Sequence, residues 1–475
     1  MTLPNGWQMV VGLEVHTELK TASKMFCGCA NVFGAQPNTN ICPVCLGLPG
    51  SLPVLNERAV EFAMAIGLAL HSNIAPSTFH RKNYFYPDMP KDFQISQYDL
   101  PINVGGYLDL PDASRVSIER AHLEEDTGKS THLGGTGRLK GADRSLVDYN
   151  RSGVPLVEIV SGPDIRSSAQ ARAYAQELRG ILIATGASDG RMEEGSMRID
   201  ANVSIRKANA PFGTRCEIKN LNSLRSLQRA IDYEALRQVG LLEGGGTVRQ
   251  ETRHWDENLG ETSTMRIKED ADDYRYFREP DLVDLAPDQT WQERVRAGLP
   301  PMPAERRQKL SARLSHPTSA QLDAVEVVID LGLEELVERA VDGGAEVTLA
   351  ISRAANELAA SIDNISNLSS ESFTATLLME QRGELSATQA KTVLCELLAL
   401  GGDPQAIAVA MGYEQLSSGS LGATVATLIE QHPDEWARFC EGDEKLAQFF
   451  VGQVMRLTNG QANGKSVIAE LQARR

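Results

Sequence analysis

The chain reads as an α+β protein, and three observations carry that reading. Alternating strands recur to about residue 290, separated by long irregular stretches and only occasional helices. That is not the regular βαβ spacing of a parallel sheet. Prolines then collect at Pro280, Pro287, Pro300, Pro301 and Pro303, the punctuation of a domain boundary. Beyond them the pattern turns helical, with start and stop residues flanking each apolar run. At 475 residues the chain is too long for one core, so roughly two to four domains are expected. The expected domains are 1–294, 295–402 and 403–475, the second boundary falling at Gly401-Gly402. The last segment is too small for a catalytic domain and reads as a recognition or docking module.

The elements follow in chain order. In "VGLEVHTELK", Val11, Leu13 and Val15 alternate with Gly12, Glu14 and His16. One face of that strand is apolar and the other carries Glu14, His16 and Glu18. "SIERAHLEED" and "PLVEIVS" also read as strands. "RSSAQARAYAQELRGILIATG" reads as a helix, with Ser167 and Gln170 as a capping box and Gly186 as its stop. In "RIDANVSIR", Ile199, Ala201, Val203 and Ile205 face one way and Asp200 and Asn202 the other. Among the later helices, "SATQAKTVLCELLAL" opens with Ser386 and Gln389 in a capping box, and "GGDPQAIAVAMG" has Asp403 at the N-cap, Pro404 after it and Gly412 past the end. "DEKLAQFFVGQVMRL" and "SVIAELQARR" are further amphipathic helices.

Composition narrows the class. Hydrophobic content of 42% and charged content of 23% are those of an ordinary globular protein. The apolar runs are broken by charges, so no membrane span is expected. "MTLPNGWQMVVG" lacks the basic and apolar regions of a signal peptide, and a cytoplasmic location is expected. The net charge of −16 argues against broad, non-specific nucleic-acid binding but leaves room for a local basic patch.

Three constellations could carry chemistry. Four of the seven cysteines cluster as Cys27-x-Cys29 and Cys42-x-x-Cys45. Two close pairs across a loop build a tetrahedral four-thiolate zinc site, and a closed shell of that kind is structural. The second is Glu14 with His16: residues two apart on a strand lie roughly 6.5–7 Å apart on one face, so they either converge on a hard cation or simply face solvent. Acidic neighbours change that weighing: Glu124, Glu125 and Asp126 in "AHLEEDTGKS", Glu158 and Asp164 in "VEIVSGPDIR", and Glu193, Glu194, Asp200 and Asn202 in "RMEEGSMRIDANVS". Such carboxylates suit Mg²⁺, which keeps waters for substrate phosphates. "DTGKS" lacks the upstream glycine of a P-loop and is not read as one. The third is basic and aromatic: Arg81 and Lys82 beside Tyr84, Phe85 and Tyr86, then Lys219 in "TRCEIKNLNS" and Arg275 in "DDYRYFREPD". These groups either grip ATP phosphates or a nucleic-acid end, or are core aromatics among surface charges. Pooled, the residues point to a Mg²⁺-dependent site in the first domain that activates a substrate with ATP.

The strings "GLEVHTELKTASKMFC", "RKNYFYPDMPKDFQISQYD", "HLEEDTGKS", "VDYNRSGVPLVEIVS", "MEEGSMRIDANVSIR", "EIKNLNS", "QETRHWDE" and "DDYRYFREPD" resemble, in family order, the B subunits of the aspartyl/glutamyl-tRNA amidotransferases. The later helices and "FFVGQVMRLTNGQAN" extend the resemblance over nearly the whole chain. It implies a cradle domain of antiparallel sheet and helices, an all-helical domain and a small tRNA-contacting tail. It implies a three-chain enzyme in which the A subunit, an amidase, frees ammonia from glutamine and a small C subunit wraps the other two. The B subunit holds Glu-tRNA(Gln) or Asp-tRNA(Asn), phosphorylates the side-chain carboxylate with ATP, and lets channelled ammonia displace the phosphate. Glu14, His16 and Glu125 match the family's metal-binding positions, and Glu125 also matches the channel mouth. Glu124, Glu158, Glu194, Asp200 and Asn202 are further candidates, and Lys82, Lys219 and Arg275 are the expected phosphate contacts. The zinc cysteines vary in the family, and here all four are present. Two other readings stand beside this one: a zinc-stabilised RNA-binding scaffold without catalysis, and a free-standing ATP-dependent ligase for a small carboxylic acid.

Overall fold

The computed structural model describes residues 1–134, 141–267, 274–413, 418–458 and 464–475. Of the family-like strings, Asp272, Asp273 and residues 459–463 lie outside these. The chain divides into two compact units, Met1–Met302 and Pro303–Arg475. Among the described residues no single helix is long and apolar enough to cross a membrane.

The first unit is built on one large sheet. Its strands, in chain order, are β1 (Trp7–Glu18), β2 (Asn73–Ile74), β3 (His80–Asn83), β4 (Phe93–Ser96), β5 (Asn103–Val104), β6 (Tyr107–Asp109) and β7 (Arg115–Glu125). A separate hairpin of β8 (Lys129–Leu133) and β9 (Arg144–Asp148) follows. Then come β10 (Pro155–Ser161), β11 (Met197–Lys207), β12 (Cys216–Leu221), β13 (Glu251–Asp256), β14 (Glu261–Ile267) and β15 (Phe277–Arg278). The spatial order is β14-β13-β12-β11-β1-β10-β7-β4-β3-β15, so the strand with Glu14 and His16 is central. The pairs are antiparallel except β12 with β13. That exception has a local cause: the 20-residue helix α3 (Leu224–Glu243) intervenes, and a parallel pair needs such a crossover.

One face of the sheet is the core. Val11, Leu13 and Val15 of β1 have no exposed surface, nor do Ala121 and Leu123 of β7, Val157 and Ile159 of β10, or Ala201 and Val203 of β11. They share a cluster with the buried faces of three helices, α1 (Glu57–Ala69), α2 (Ser168–Ala184) and α3. Caps set the helix starts: the Asn56 side chain accepts from the N–H groups of Arg58 and Ala59, Ser167 from Gln170, and Ser223 from Ser226. The box expected at α2 is only half formed, because the Gln170 side chain takes the Arg166 N–H instead of that of Ser167.

The second unit is helical throughout its described residues. The box expected at Ser386 and Gln389, and the cap at Asp403, are formed as written in the chain. Its core separates into two clusters, one running from Leu310 to Ala408 and one from Leu421 to Leu471.

Candidate active site

The face of the sheet opposite the core is wet, and register decides what stands on it. Residues directly opposite one another in a ladder share a face. His16 pairs with Glu158, and Glu158 with His122, so β1, β10 and β7 set the three side chains in a row. Glu124, two residues beyond His122, joins them. A bulge makes this possible. Val160 pairs with Arg120 but Ser161 with Ile118, so β7 carries one extra residue. Before it Val116 and Ile118 are buried; after it Ala121 and Leu123 are, and His122 and Glu124 turn to the wet face.

The row is tight. His16 Nε2 lies 3.5 Å from both Glu124 Oε1 and Glu158 Oε2, and His122 Nε2 lies 3.5 Å from Glu158 Oε2. One ligand atom from each of His16, Glu124 and Glu158 falls within 4.8 Å of the others, an arrangement able to hold a metal ion. Glu14 stands beside it, paired in register with Asp200, and its Oε1 accepts from the Asn202 amide at 2.9 Å. Burial works against a charge on His16, but the carboxylates of Glu158, Glu124 and Asp200 outweigh it and push the imidazole up to about 9. Burial pushes His122 down to about 4, so near pH 7 the protonated His16 is the charged partner of Glu158. Burial would raise Glu158 too, but the histidines hold it well below the usual carboxylate range. Glu124 is driven up by burial and by Glu158.

These residues floor a cavity of about 1080 Å³. On one side Lys219 Nζ is held by Asp200 at 2.6 Å and Glu217 at 3.2 Å. On another, Lys82 sits 4.8 Å from the Tyr274 ring centre and Tyr98 stacks on Tyr276 at 4.0 Å. At a third edge buried Asp126 pairs with Arg198 at 2.7 Å and Arg151 at 3.5 Å. Burial and this Asp126 push Glu18 up to about 7.

Two expected residues fall elsewhere. Glu125 continues the core-facing alternation of Ala121 and Leu123, so it lies on the opposite side of the sheet from Glu124. There its Oε1 accepts from the Ile95 N–H at 2.9 Å and from Lys91. It lines a separate cavity of about 220 Å³ with Cys27, Cys45 and Gly153. Arg275 is exposed and absent from the cavity lining; it sits at φ +46° and its carbonyl accepts from Asn83. Glu194 does line the large cavity, where it is ion-paired with Arg191 at 2.7 Å. Conversely, His122, Arg198 and the Tyr98–Tyr276 stack belong to the lining without having been assigned a role, and Asp126, noted among the acidic residues of its strand, lines it too. For His122 the signal was present: it stands two residues before Glu124, the spacing of one strand face.

The four cysteines also converge. Cys27, Cys29, Cys42 and Cys45 place their sulfurs within 4.8 Å of one another, a possible metal site. The Cys42 N–H lies 3.2 Å from Cys45 Sγ, and fully buried Lys24 brings its Nζ to 3.8 Å from the same sulfur. The Cys27 thiol hydrogen bond, against burial and with help from Cys42 and Lys24, pushes Cys45 down to about 5, the thiolate form that binds metals.

Comparison with known proteins identifies the family. Residues 9–293 match the GatB/GatE catalytic domain family and residues 335–474 the GatB domain family. The B subunit of an aspartyl/glutamyl-tRNA(Asn/Gln) amidotransferase from Frankia casuarinae is 49% identical over 97% of this chain and 94% of its own length. The proteins of the same name from Nocardioides sp. and Moorella thermoacetica are each 46% identical over 96% of this chain, and over 95% and 97% of their own lengths. The chain therefore belongs to the family of aspartyl/glutamyl-tRNA(Asn/Gln) amidotransferase B subunits.

Proposed function

We propose that this chain is the tRNA-binding, ATP-using member of a glutamine-dependent amidotransferase, converting Glu-tRNA(Gln) or Asp-tRNA(Asn) to Gln-tRNA(Gln) or Asn-tRNA(Asn). The observation that carries the reading is the row His16–Glu158–His122 with Glu124, set in a cavity large enough for a nucleotide and an aminoacyl end. Its partners in this reading are the amidase, or A, subunit and the small C subunit, and its place is the cytoplasm.

The donor set fits Mg²⁺: two carboxylates and one imidazole leave room for further oxygen ligands. His16, Glu124 and Glu158 would hold it, with Glu14 and Asp200 beside them. When bound, the ion neutralises charge on transferring phosphate. Charge balance favours this. The cavity lining carries eight carboxylates against four lysine and arginine side chains, so a bare triphosphate would be repelled. Lys82 and Lys219 stand at the walls as phosphate contacts, Lys219 oriented by Asp200 and Glu217. The substrate side-chain carboxylate attacks the γ-phosphorus, the bond to the β-phosphate oxygen breaks and ADP leaves. The resulting acyl phosphate has the leaving group that a carboxylate lacks, and ammonia displaces inorganic phosphate from it. Glu125 and Lys91, under the sheet, lie on the side from which we place ammonia's approach. We assign zinc to the four cysteines as a structural ion. The division into a cradle at 1–294, a helical domain at 295–402 and a tail at 403–475 is our reading; the two separate helical cores favour two helical modules, with the first core running on to Ala408, past residue 402.

An isotope experiment tests the reaction. With Glu-tRNA(Gln) labelled with heavy oxygen in its side-chain carboxylate, the assembled complex should release inorganic phosphate carrying that label, in step with amide formation. Unlabelled phosphate alongside normal amidation would reject the acyl-phosphate route.

Cation binding should depend on pH through His16. Its folded value near 9 lies above the ordinary 6.5, so the imidazolium's stabilising effect is complete below about 6.5 and lost as pH rises through 9. A cation must displace that proton. Mn²⁺ affinity, read by electron paramagnetic resonance, should rise by up to about tenfold per pH unit between 6.5 and 9 and then level off. A flat profile across that window would remove His16 from the ligand set.

A further inference from the structure

The row that carries the site does not stop at His16. In the antiparallel ladder of β1 with β11, His16 pairs with Arg198. The wet face therefore runs Arg198, His16, Glu158, His122 across four adjacent strands. Directly opposite residues keep their Cβ atoms roughly 4.5–5.5 Å apart. A guanidinium thus stands next to the imidazole at one end of the row, and it lines the large cavity.

Arg198 is held from behind. Its Nη2 donates to Asp126 Oδ2 at 2.7 Å, and Asp126, with a side chain only 4% exposed, is itself fixed. The Thr127 N–H donates to Asp126 Oδ1 at 2.8 Å, and Arg151 Nε lies 3.5 Å from Oδ2. Arg151 in turn donates to the carbonyls of Thr127 and Gly128, each at 3.0 Å. The carboxylates that act on the charge of Arg198 are Asp126, Glu18 and Glu124. A guanidinium has five N–H donors; here Nη2 is turned to Asp126, and 37% of the side chain remains exposed. The other cations of the lining differ. Lys82 and Lys219 are point charges at the walls, and Arg120 stands across β10, opposite Val160. Arg198 combines a place beside His16 with a fixed orientation.

We propose that Arg198 receives the side-chain carboxylate of the glutamyl or aspartyl group, with Asp126 and Arg151 as its positioning residues. The proposal rests on the amidotransferase reading above. That carboxylate enters a cavity lined by eight others, so it needs a cationic partner of its own. The guanidinium fork matches a carboxylate through two parallel N–H···O bonds. Gripped there, the carboxylate lies beside the row at which phosphoryl transfer is placed. The fork also separates substrate from product. The amide offers one acceptor oxygen, and its NH₂ group sets donors against the donors of Arg198. The grip therefore loosens once the amide has formed.

Binding to the assembled complex, with Mg²⁺ and without ATP, tests this. Glu-tRNA(Gln) is compared with Gln-tRNA(Gln), which has an amide in place of the carboxylate, and with uncharged tRNA(Gln). The parent should prefer the glutamyl over the glutaminyl form by about 10–100-fold, the range that a hydrogen bond to a charged group supplies. Arg198→Gln should erase that preference and slow single-turnover amidation about 100-fold. It should leave both the affinity for uncharged tRNA and the ATP KM within about twofold. Arg198→Lys, which keeps the charge without the fork, should retain part of the preference, and Asp126→Asn should lower it less than Arg198→Gln does. Asp126 keeps Thr127 and Arg151 as partners when Arg198 is replaced, so the melting temperature of Arg198→Gln should stay parental. A parent that binds the two aminoacyl forms alike overturns the assignment, as does an undiminished preference in Arg198→Gln. So does an equal loss of affinity for all three tRNAs, the mark of a structural role. A raised ATP KM with the preference intact overturns it too, because the guanidinium then serves the nucleotide. If Arg198→Gln erases the preference and yet the parent makes no amide, the assignment stands and the amidotransferase reading falls.

Discussion

Glu158→Gln is expected to lower the amidation rate by a factor of about 10²–10³ while leaving tRNA affinity within about twofold. The substitution keeps the side chain's shape and removes its charge. Glu158 lies between two imidazoles, 3.5 Å from each, and it is the group they jointly hold ionised. Without it His16 keeps only Glu124 at close range, and a hard cation loses one of its oxygen donors. Cation affinity should fall by at least the ~10–100-fold seen when even supporting groups of metal sites are lost. Single-turnover amidation and Mn²⁺ titration on the same preparations read both effects. A variant with parental turnover would remove Glu158 from the site. Glu125→Gln offers the contrast: it lies across the sheet, so Mn²⁺ affinity should stay parental even where turnover suffers.

Cys45→Ser is expected to strip the four-cysteine centre and to unfold its surroundings. Structural zinc contributes apparent binding free energies of about 10–16 kcal/mol in small domains, and one missing thiolate removes much of that. Cys45 is the buried member of the set, and Lys24 and the Cys42 N–H both point at its sulfur. Loss of the metal would leave Lys24, which has no exposed surface, with the Tyr149 carbonyl at 3.2 Å as its remaining anchor. Atomic absorption should show zinc falling from one equivalent to near none. Proteolysis should then cut within 20–56, and the melting temperature should drop. Retention of a full equivalent of zinc would show that the other groups suffice and that the four-thiolate assignment is mistaken.

The legible and illegible parts of the site separate along one line. Side-chain alternation is local, so Glu14 and His16 on one face of β1, or Asp200 and Asn202 on one face of β11, could be read from spacing alone. The cysteine pairs were likewise evident, because two close pairs across a short loop have few other uses. Glu124 and Glu125 show where this stops. Adjacent acids on a strand must face opposite ways, but which one faces the histidine depends on the bulge at Glu119–Arg120, and that bulge exists only in the pairing with β10. Arg275 was picked for its charge and its neighbours; a backbone turn at positive φ leaves it outside the cavity while Tyr274 and Tyr276 line it.

By itself the amino-acid order determined the class of the protein, its helix caps, its two strand faces and its clustered cysteine pairs, because each rests on contacts between residues close in the chain. The tertiary structure alone decided which acids meet. His16 stands far along the chain from both His122 and Glu158, and ladder register joins the three. A one-residue slip in either ladder would turn one strand's share of the row toward the core and break the row.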